Sequence, residues 1–176
     1  HPQWGRFTFN GYAWVGTVPA PGFDAFVFEN GYGPPTPPTG NYELMFSAED
    51  GSDVPSAAAV AVAAAVLTHH EELASRVTAA LWDDFNGRGP DSGMWWHDAL
   101  DEVSEGIEPA PQGPDDLLGR MRLRRIVLWK NTYRYEKPIA VLNFSAEFEG
   151  EHGVGMLTDG QTILGAGYSA DVSPYH

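Results

Sequence analysis

The clearest alternation of apolar and polar side chains lies in residues 139–149. One set of alternate positions is apolar throughout: Ala140, Leu142, Phe144, Ala146 and Phe148. The other set begins apolar, becomes polar and ends acidic: Ile139, Val141, Asn143, Ser145, Glu147 and Glu149. Because side chains alternate between the two faces of a strand, this pattern predicts a β-strand with one face on the core.

A predicted β-meander follows this strand. After Gly150 a second short strand leads to Asp159–Gly160, a pair that favours a two-residue hairpin turn, and then to a third strand, Gln161–Leu164. If the strands pair in this way, four side chains gather near one end of the sheet. They are Glu147, Glu149, Glu151 and His152.

Further strands are predicted on both sides of a helical region. Trp4–Val18 has the pattern of a hairpin that turns at Asn10–Gly11. The other predicted strands are Phe23–Glu29, Tyr42–Ser47, Leu123–Trp129 and Thr132–Glu136, the last two paired around Lys130–Asn131.

The helical region is predicted to contain two helices. Asp53 is a suitable N-cap for an Ala-rich helix that runs to about Trp82, with Pro55 in its first turn. A shorter helix that carries Trp95 and Trp96 is predicted over Met94–Ser104. Strands before and after the helices favour an α+β fold: a single domain, residues 1–176, in which an antiparallel β-sheet packs against one long Ala-rich helix and a shorter Trp-bearing helix.

Composition and charge exclude several classes of partner. The 176 residues have a formal net charge of −14, which argues against nucleic acid and anionic membrane surfaces as partners. The longest apolar run, Ala57–Leu67, is too short to cross a bilayer, which needs about 20 residues. There is no cysteine, which excludes disulfides and thiolate metal sites and is consistent with a bacterial cytoplasmic protein.

The glutamate and histidine cluster is the candidate binding site. Its predicted members are Glu147, Glu149, Glu151 and His152, together with Asn143. Carboxylates and an imidazole suit a divalent ion, so a metal-dependent hydrolase or an ion-binding domain is one interpretation. The alternative is a cluster with no catalytic or metal-binding role, in which the glutamates are solvated and the histidine only hydrogen-bonds a carboxylate. No phosphate-binding glycine loop, nucleophile elbow or dinucleotide motif is present, and no cofactor is predicted.

Residues 144–167, together with the upstream helix and the strand Leu123–Trp129, resemble a bacterial domain family of unknown function. Its members end with a strand of the form W-D-x-E-H-G-x-G, followed by a hairpin. The matching residues are Phe148, Glu149, Glu151, His152, Gly153, Gly155, Gly165 and Asp171, with Phe148 and Glu149 in place of the family's Trp and Asp. The resemblance covers about the last two-thirds of the chain. It implies a location near polymorphic-toxin loci and an immunity or accessory role, without assigning catalytic residues.

Charge and resemblance together favour an acidic protein-binding module without catalysis, whose partner is a basic protein. The metal-dependent alternative stays open, as does a scaffold domain with no ligand site. The sequence does not decide whether the protein is an enzyme, nor its oligomeric state.

Overall fold

The computed structural model describes residues 1–29, 37–48, 54–129, 135 and 137–176. Eight strands in these ranges form one sheet, and their order in the sheet is their order in the chain. They are β1 (Thr8–Phe9), β2 (Ala13–Pro19), β3 (Asn41–Ser47), β4 (Met121–Trp129), β5 (Ile139–Ala146), β6 (Val154–Thr158), β7 (Ile163–Tyr168) and β8 (Asp171–Pro174).

Neighbouring strands pair antiparallel except for β3 and β4, which run parallel. The residues between these two strands, 48–120, include the helices α1 (Ala57–Thr68), α2 (His70–Phe85) and α3 (Leu100–Ser104). The fold class is α+β, as the strand and helix pattern predicts. None of the helices among the described residues has both the length and the apolar composition needed to cross a membrane.

The predicted long helix is two consecutive helices. Ser56 caps α1 by accepting a hydrogen bond from Ala59 N over 3.1 Å, while the predicted cap, Asp53, lies outside the described residues. His69, at φ −109° and ψ 21°, leaves the helical conformation and separates α1 from α2. The residues around the junction include no proline or glycine, so residue propensities do not reveal the break.

A close backbone approach at the junction accounts for the break. A 3₁₀ helix, Pro21–Ala25, lies against the start of α2, and Gly22 N donates to His70 Nδ1 over 2.9 Å. A Cβ atom on Gly22 would lie 2.7 Å from the backbone of Glu71. The glycine therefore lets two backbones meet at a distance that any larger residue would prevent.

Two other predicted elements are wrong. The predicted strand Phe23–Glu29 begins with the 3₁₀ helix, and Phe23 and Phe26 are both fully buried. Their spacing of three residues suits a helical turn and not the two-residue period of a strand. The predicted helix Met94–Ser104 is helical only in α3, so Trp95 and Trp96 lie in the turns before it. Most of predicted strand Thr132–Glu136 lies outside the described residues.

The two faces of β5 match the predicted pattern. Ala140, Leu142, Phe144 and Ala146 belong to the main core, which also includes the buried side chains of α1 and α2. Ile139 and Val141 belong to a smaller cluster on the opposite face, with Val127, Leu157 and Val172. The helices therefore cover one face of the sheet.

The C-terminal strands form the predicted meander with a different turn. Thr158 pairs with Ile163, so the connection is a four-residue loop and the next strand begins at Ile163. Asp159 Oδ1 accepts from Gln161 N and Thr162 N, which stabilises the loop. A short final strand, β8, completes the sheet edge and was not predicted.

Candidate functional site

The structure brings two of the five predicted site residues together. Glu149 and His152 are in contact, whereas Glu147 forms an ion pair of 2.8 Å with Arg120. Glu151 is exposed to solvent. Asn143 lies in β5 on the face of Val141, and its buried Oδ1 has no hydrogen-bond partner in the described part of the chain.

Glu149 is a buried carboxylate that accepts three hydrogen bonds. His152 donates to Oε1 from its backbone N over 3.1 Å, and His152 Nδ1 lies 3.1 Å from the same oxygen. Trp95 Nε1 donates to Oε2 over 3.0 Å. Burial raises the pKa of Glu149, but the hydrogen bonds from Trp95 and His152 outweigh it, so the pKa lies below its ordinary value of 4.5.

A second buried carboxylate, Asp84, has the same kinds of partner. Asp84 lies in the last turn of α2, and its side chain is completely buried. Trp96 Nε1 donates to Oδ2 over 2.8 Å, and His97 Nδ1 lies 2.7 Å from Oδ1. The hydrogen bond with Asp84 raises the pKa of His97 above its ordinary value of 6.5.

The two sites are joined by the tripeptide Trp95-Trp96-His97. The indole rings of Trp95 and Trp96 are 5.9 Å apart and nearly perpendicular, so their N–H groups reach different carboxylates. Trp96 also packs edge-on against Tyr168, and the ring of Tyr168 lies 4.4 Å from that of His152. The carboxylate, indole and imidazole groups thus form one connected network.

The backbone after the tripeptide holds this arrangement in place. Asp98 N donates to Asp84 O over 2.9 Å, and Asp98 has a φ of 51°. A residue other than glycine rarely adopts such a φ, although Asp tolerates it better than most. The left-handed residue after the tripeptide is therefore tied to the last turn of α2 through Asp84.

Sequence reasoning assigned Trp95 and Trp96 to the apolar side of a helix and did not include Asp84 or His97 in a site. Two adjacent tryptophans followed by a histidine and an aspartate were a usable signal, since buried indole N–H groups need acceptors. The identity of the acceptors depends on tertiary contacts across the chain, which the local pattern does not contain.

Asp84, Asp91 and His97 are the residues with the spacing of a metal site. Among the described residues they form the set of three in which every potential ligand atom lies within 4.8 Å of the others. His97 Nδ1 is 3.5 Å from Asp91 Oδ1. The predicted glutamate cluster is not such a set in the described chain: Glu147 pairs with Arg120, and Glu151 is exposed.

An apolar cavity of about 270 Å³ lies elsewhere in the molecule. Its lining includes Trp4, Trp14, Phe46 and Val60. It shares no residue with either carboxylate site, so the cavity and the polar network are separate features.

Comparison with known proteins gives a family but no described function. No curated protein and no solved structure matches the chain. A protein-family model matches residues 35–173, a range that contains both buried carboxylates, both tryptophans and both histidines of the network. The chain therefore belongs to the family described as "Domain of unknown function (DUF6985)".

Proposed function

We propose that this chain is a protein-binding module of the immunity or accessory type, which binds a basic partner protein through residues 89–119. We call this range the acidic segment. It contains eight carboxylates and neither lysine nor arginine. The acidic residues are Asp91, Asp98, Asp101, Glu102, Glu105, Glu108, Asp115 and Asp116.

The observation that carries the proposal is that these carboxylates have no lysine or arginine partner among the described residues, and only Asp91 has a histidine beside it, His97 at 3.5 Å. All of them except Asp91 are exposed. In the described part of the chain, none forms an ion pair with a lysine or arginine side chain.

Five cations of the described chain pair with carboxylates outside the acidic segment. Arg120, Arg122 and Arg125 of the sheet region pair with Glu147, Glu29 and Glu43. Lys137 pairs with Asp159, and Arg88 pairs with Asp83. The negative charge of the acidic segment is therefore not neutralised within these pairs and is available to a basic partner.

Trp95 adds an aromatic contact to this surface. Its side chain is 40% exposed, although its Nε1 is held by Glu149. An exposed indole fixed in position can stack against an arginine or lysine side chain, an interaction of about 0.5–2 kcal/mol. Exposed tryptophans are also frequent among the residues that contribute most to protein interfaces.

Two further features support the proposal. A net charge of −14 accelerates association with a basic protein through long-range attraction. The resemblance to domains near polymorphic-toxin loci supports the immunity or accessory part of the proposal.

The test uses the purified chain and the products of genes adjacent to its own gene. We expect one basic product to bind, with an affinity that falls as salt rises, and co-expression to reduce its toxicity. The triple variant Asp101→Asn, Glu102→Gln, Glu105→Gln is expected to weaken binding at least tenfold. The control variant Glu71→Gln, Glu72→Gln, Asp171→Asn removes the same charge outside the acidic segment and is expected to change affinity less than twofold.

Two results would contradict the proposal. Equal weakening by both triple variants would mean that net charge alone, and not the acidic segment, determines binding. If no adjacent gene product binds or is neutralised, the chain does not have the proposed role.

A further inference from the structure

We infer that Asp84, Asp91 and His97 form a site for one divalent transition-metal ion such as Zn²⁺ or Mn²⁺. The potential ligand atoms of the three side chains lie within 4.8 Å of one another. They come from the last turn of α2 and from the turns that precede α3.

The separations suit coordination of a common ion. With metal–ligand bonds of about 2.0–2.1 Å, two ligand atoms lie about 2.9 Å apart at a right angle and about 3.4 Å apart at a tetrahedral angle. His97 Nδ1 is 2.7 Å from Asp84 Oδ1 and 3.5 Å from Asp91 Oδ1. Both distances from His97 are within a few tenths of an ångström of these values, and the Asp84 and Asp91 oxygens lie within 4.8 Å of each other.

Both carboxylates are oriented by groups outside the ligand set. Trp96 Nε1 donates to Asp84 Oδ2 over 2.8 Å, while Oδ1 accepts from Ser92 N over 3.3 Å and faces His97. Gly93 N donates to Asp91 Oδ1 over 2.6 Å. Hydrogen bonds of this kind fix the direction of metal-binding carboxylates and strengthen binding.

A second observation independent of the three ligands comes from Tyr175. Its Oη is buried and has no hydrogen-bond partner among the described residues. The next residue, His176, donates its backbone N to Asp91 O over 2.9 Å, so the end of the described chain lies beside the site. A bound water or ion is one of the explanations for a buried hydroxyl without a partner.

The exposure of the site and its ligand types are also suitable for binding a divalent ion. The side chain of Asp84 is fully buried, whereas that of Asp91 is 48% exposed, so an ion can enter from the side of Asp91. Two carboxylates and one imidazole favour Zn²⁺, Mn²⁺ or Co²⁺ over Mg²⁺ and Ca²⁺, which prefer oxygen ligands alone. Three protein ligands leave at least one position for water.

The test is calorimetric titration of the metal-free full chain with Zn²⁺ and Mn²⁺, and absorption spectroscopy with Co²⁺. We expect one ion per chain and a Co²⁺ spectrum that shows nitrogen and oxygen ligands. His97→Gln and Asp91→Asn are each expected to weaken binding at least tenfold. Circular dichroism would verify that both variants are folded.

Two control variants distinguish this site from other surface groups. Asp83→Asn removes a neighbouring exposed carboxylate that pairs with Arg88, and His152→Gln removes the imidazole that contacts Glu149. Both are expected to bind the ion as the unaltered protein does. Absence of binding by the folded protein, or a loss caused by His152→Gln but not by His97→Gln, would overturn the inference.

Discussion

Trp95 donates its indole N–H to Glu149, a residue 54 positions further along the chain. This hydrogen bond connects the turns before α3 to the loop between β5 and β6. It fixes an exposed aromatic side chain to a buried carboxylate, so the shape of the surface near the acidic segment depends on the interior of the protein.

We expect Trp95→Phe to destabilise the fold by about 1–2 kcal/mol, because it removes one donor from a buried carboxylate and keeps an aromatic ring. Urea denaturation at neutral pH would measure the loss. The matched control is Trp129→Phe, since Trp129 is similarly exposed, at 43%, and lies in β4. A loss as large for Trp129→Phe would show that the hydrogen bond contributes little.

We expect Asp84→Asn to reduce the free energy of unfolding by about 2–3 kcal/mol. An asparagine has one oxygen and one NH₂ group, so it cannot accept from both Trp96 Nε1 and His97 Nδ1 as the carboxylate does. Thermal denaturation of Asp84→Asn and of Asp83→Asn gives the comparison. The exposed Asp83 is expected to change stability by less than about 0.5 kcal/mol.

The stability that Glu149 contributes is expected to depend on pH. Its folded-state pKa lies below 4.5, so the folded protein holds the ionised form more strongly than the unfolded chain does. This contribution is fully present above pH 4.5 and is lost as pH falls through the folded-state pKa. Denaturant titrations between neutral pH and pH 3 would follow it.

Glu149→Gln supplies the control for this pH dependence. The difference in unfolding free energy between the unaltered protein and Glu149→Gln is expected to shrink as the solution is acidified. A difference that stays constant or grows on acidification would contradict the lowered pKa.

We expect Gly22→Ala to destabilise the protein by about 1–3 kcal/mol, because the new methyl group would press on the backbone of Glu71 at the junction of α1 and α2. Gly119→Ala is the matched control, since a Cβ atom there has no heavy atom within 4 Å. Chemical denaturation would compare the two. Equal stability of both variants would mean that the junction can move to accept a side chain.

The sequence was sufficient to predict strands that have one face on the main core. In β5 the alternate positions from Ala140 to Ala146 face the main core, as their apolar pattern indicates. The turn at Gly11 was also predictable, because its φ of 96° is a conformation that glycine adopts readily. Local pattern and tertiary packing agree in these segments.

The candidate network was only partly predictable. Glu149 and His152 are three residues apart, so their contact could be inferred from a strand-end cluster. The contact between His97 and Asp84 spans 13 positions and depends on the ends of α2 and α3, whose bounds the pattern did not give. Likewise, the break at His69 lies beside a long-range contact. Gly22 N donates to His70 Nδ1, and these two residues are 48 positions apart in the chain.

The parallel pairing of β3 and β4 has a consequence for how this protein can vary. Two adjacent parallel strands require the chain to travel back along the sheet before the second one starts, and here that return path holds every α-helix of the described chain and the whole acidic segment. Its ends are fixed by two neighbouring strands. Insertions or deletions in the exposed turns of this path, outside the buried faces of α1 and α2, can therefore reshape the surface while the hydrogen-bonded ladder beneath it keeps its alignment.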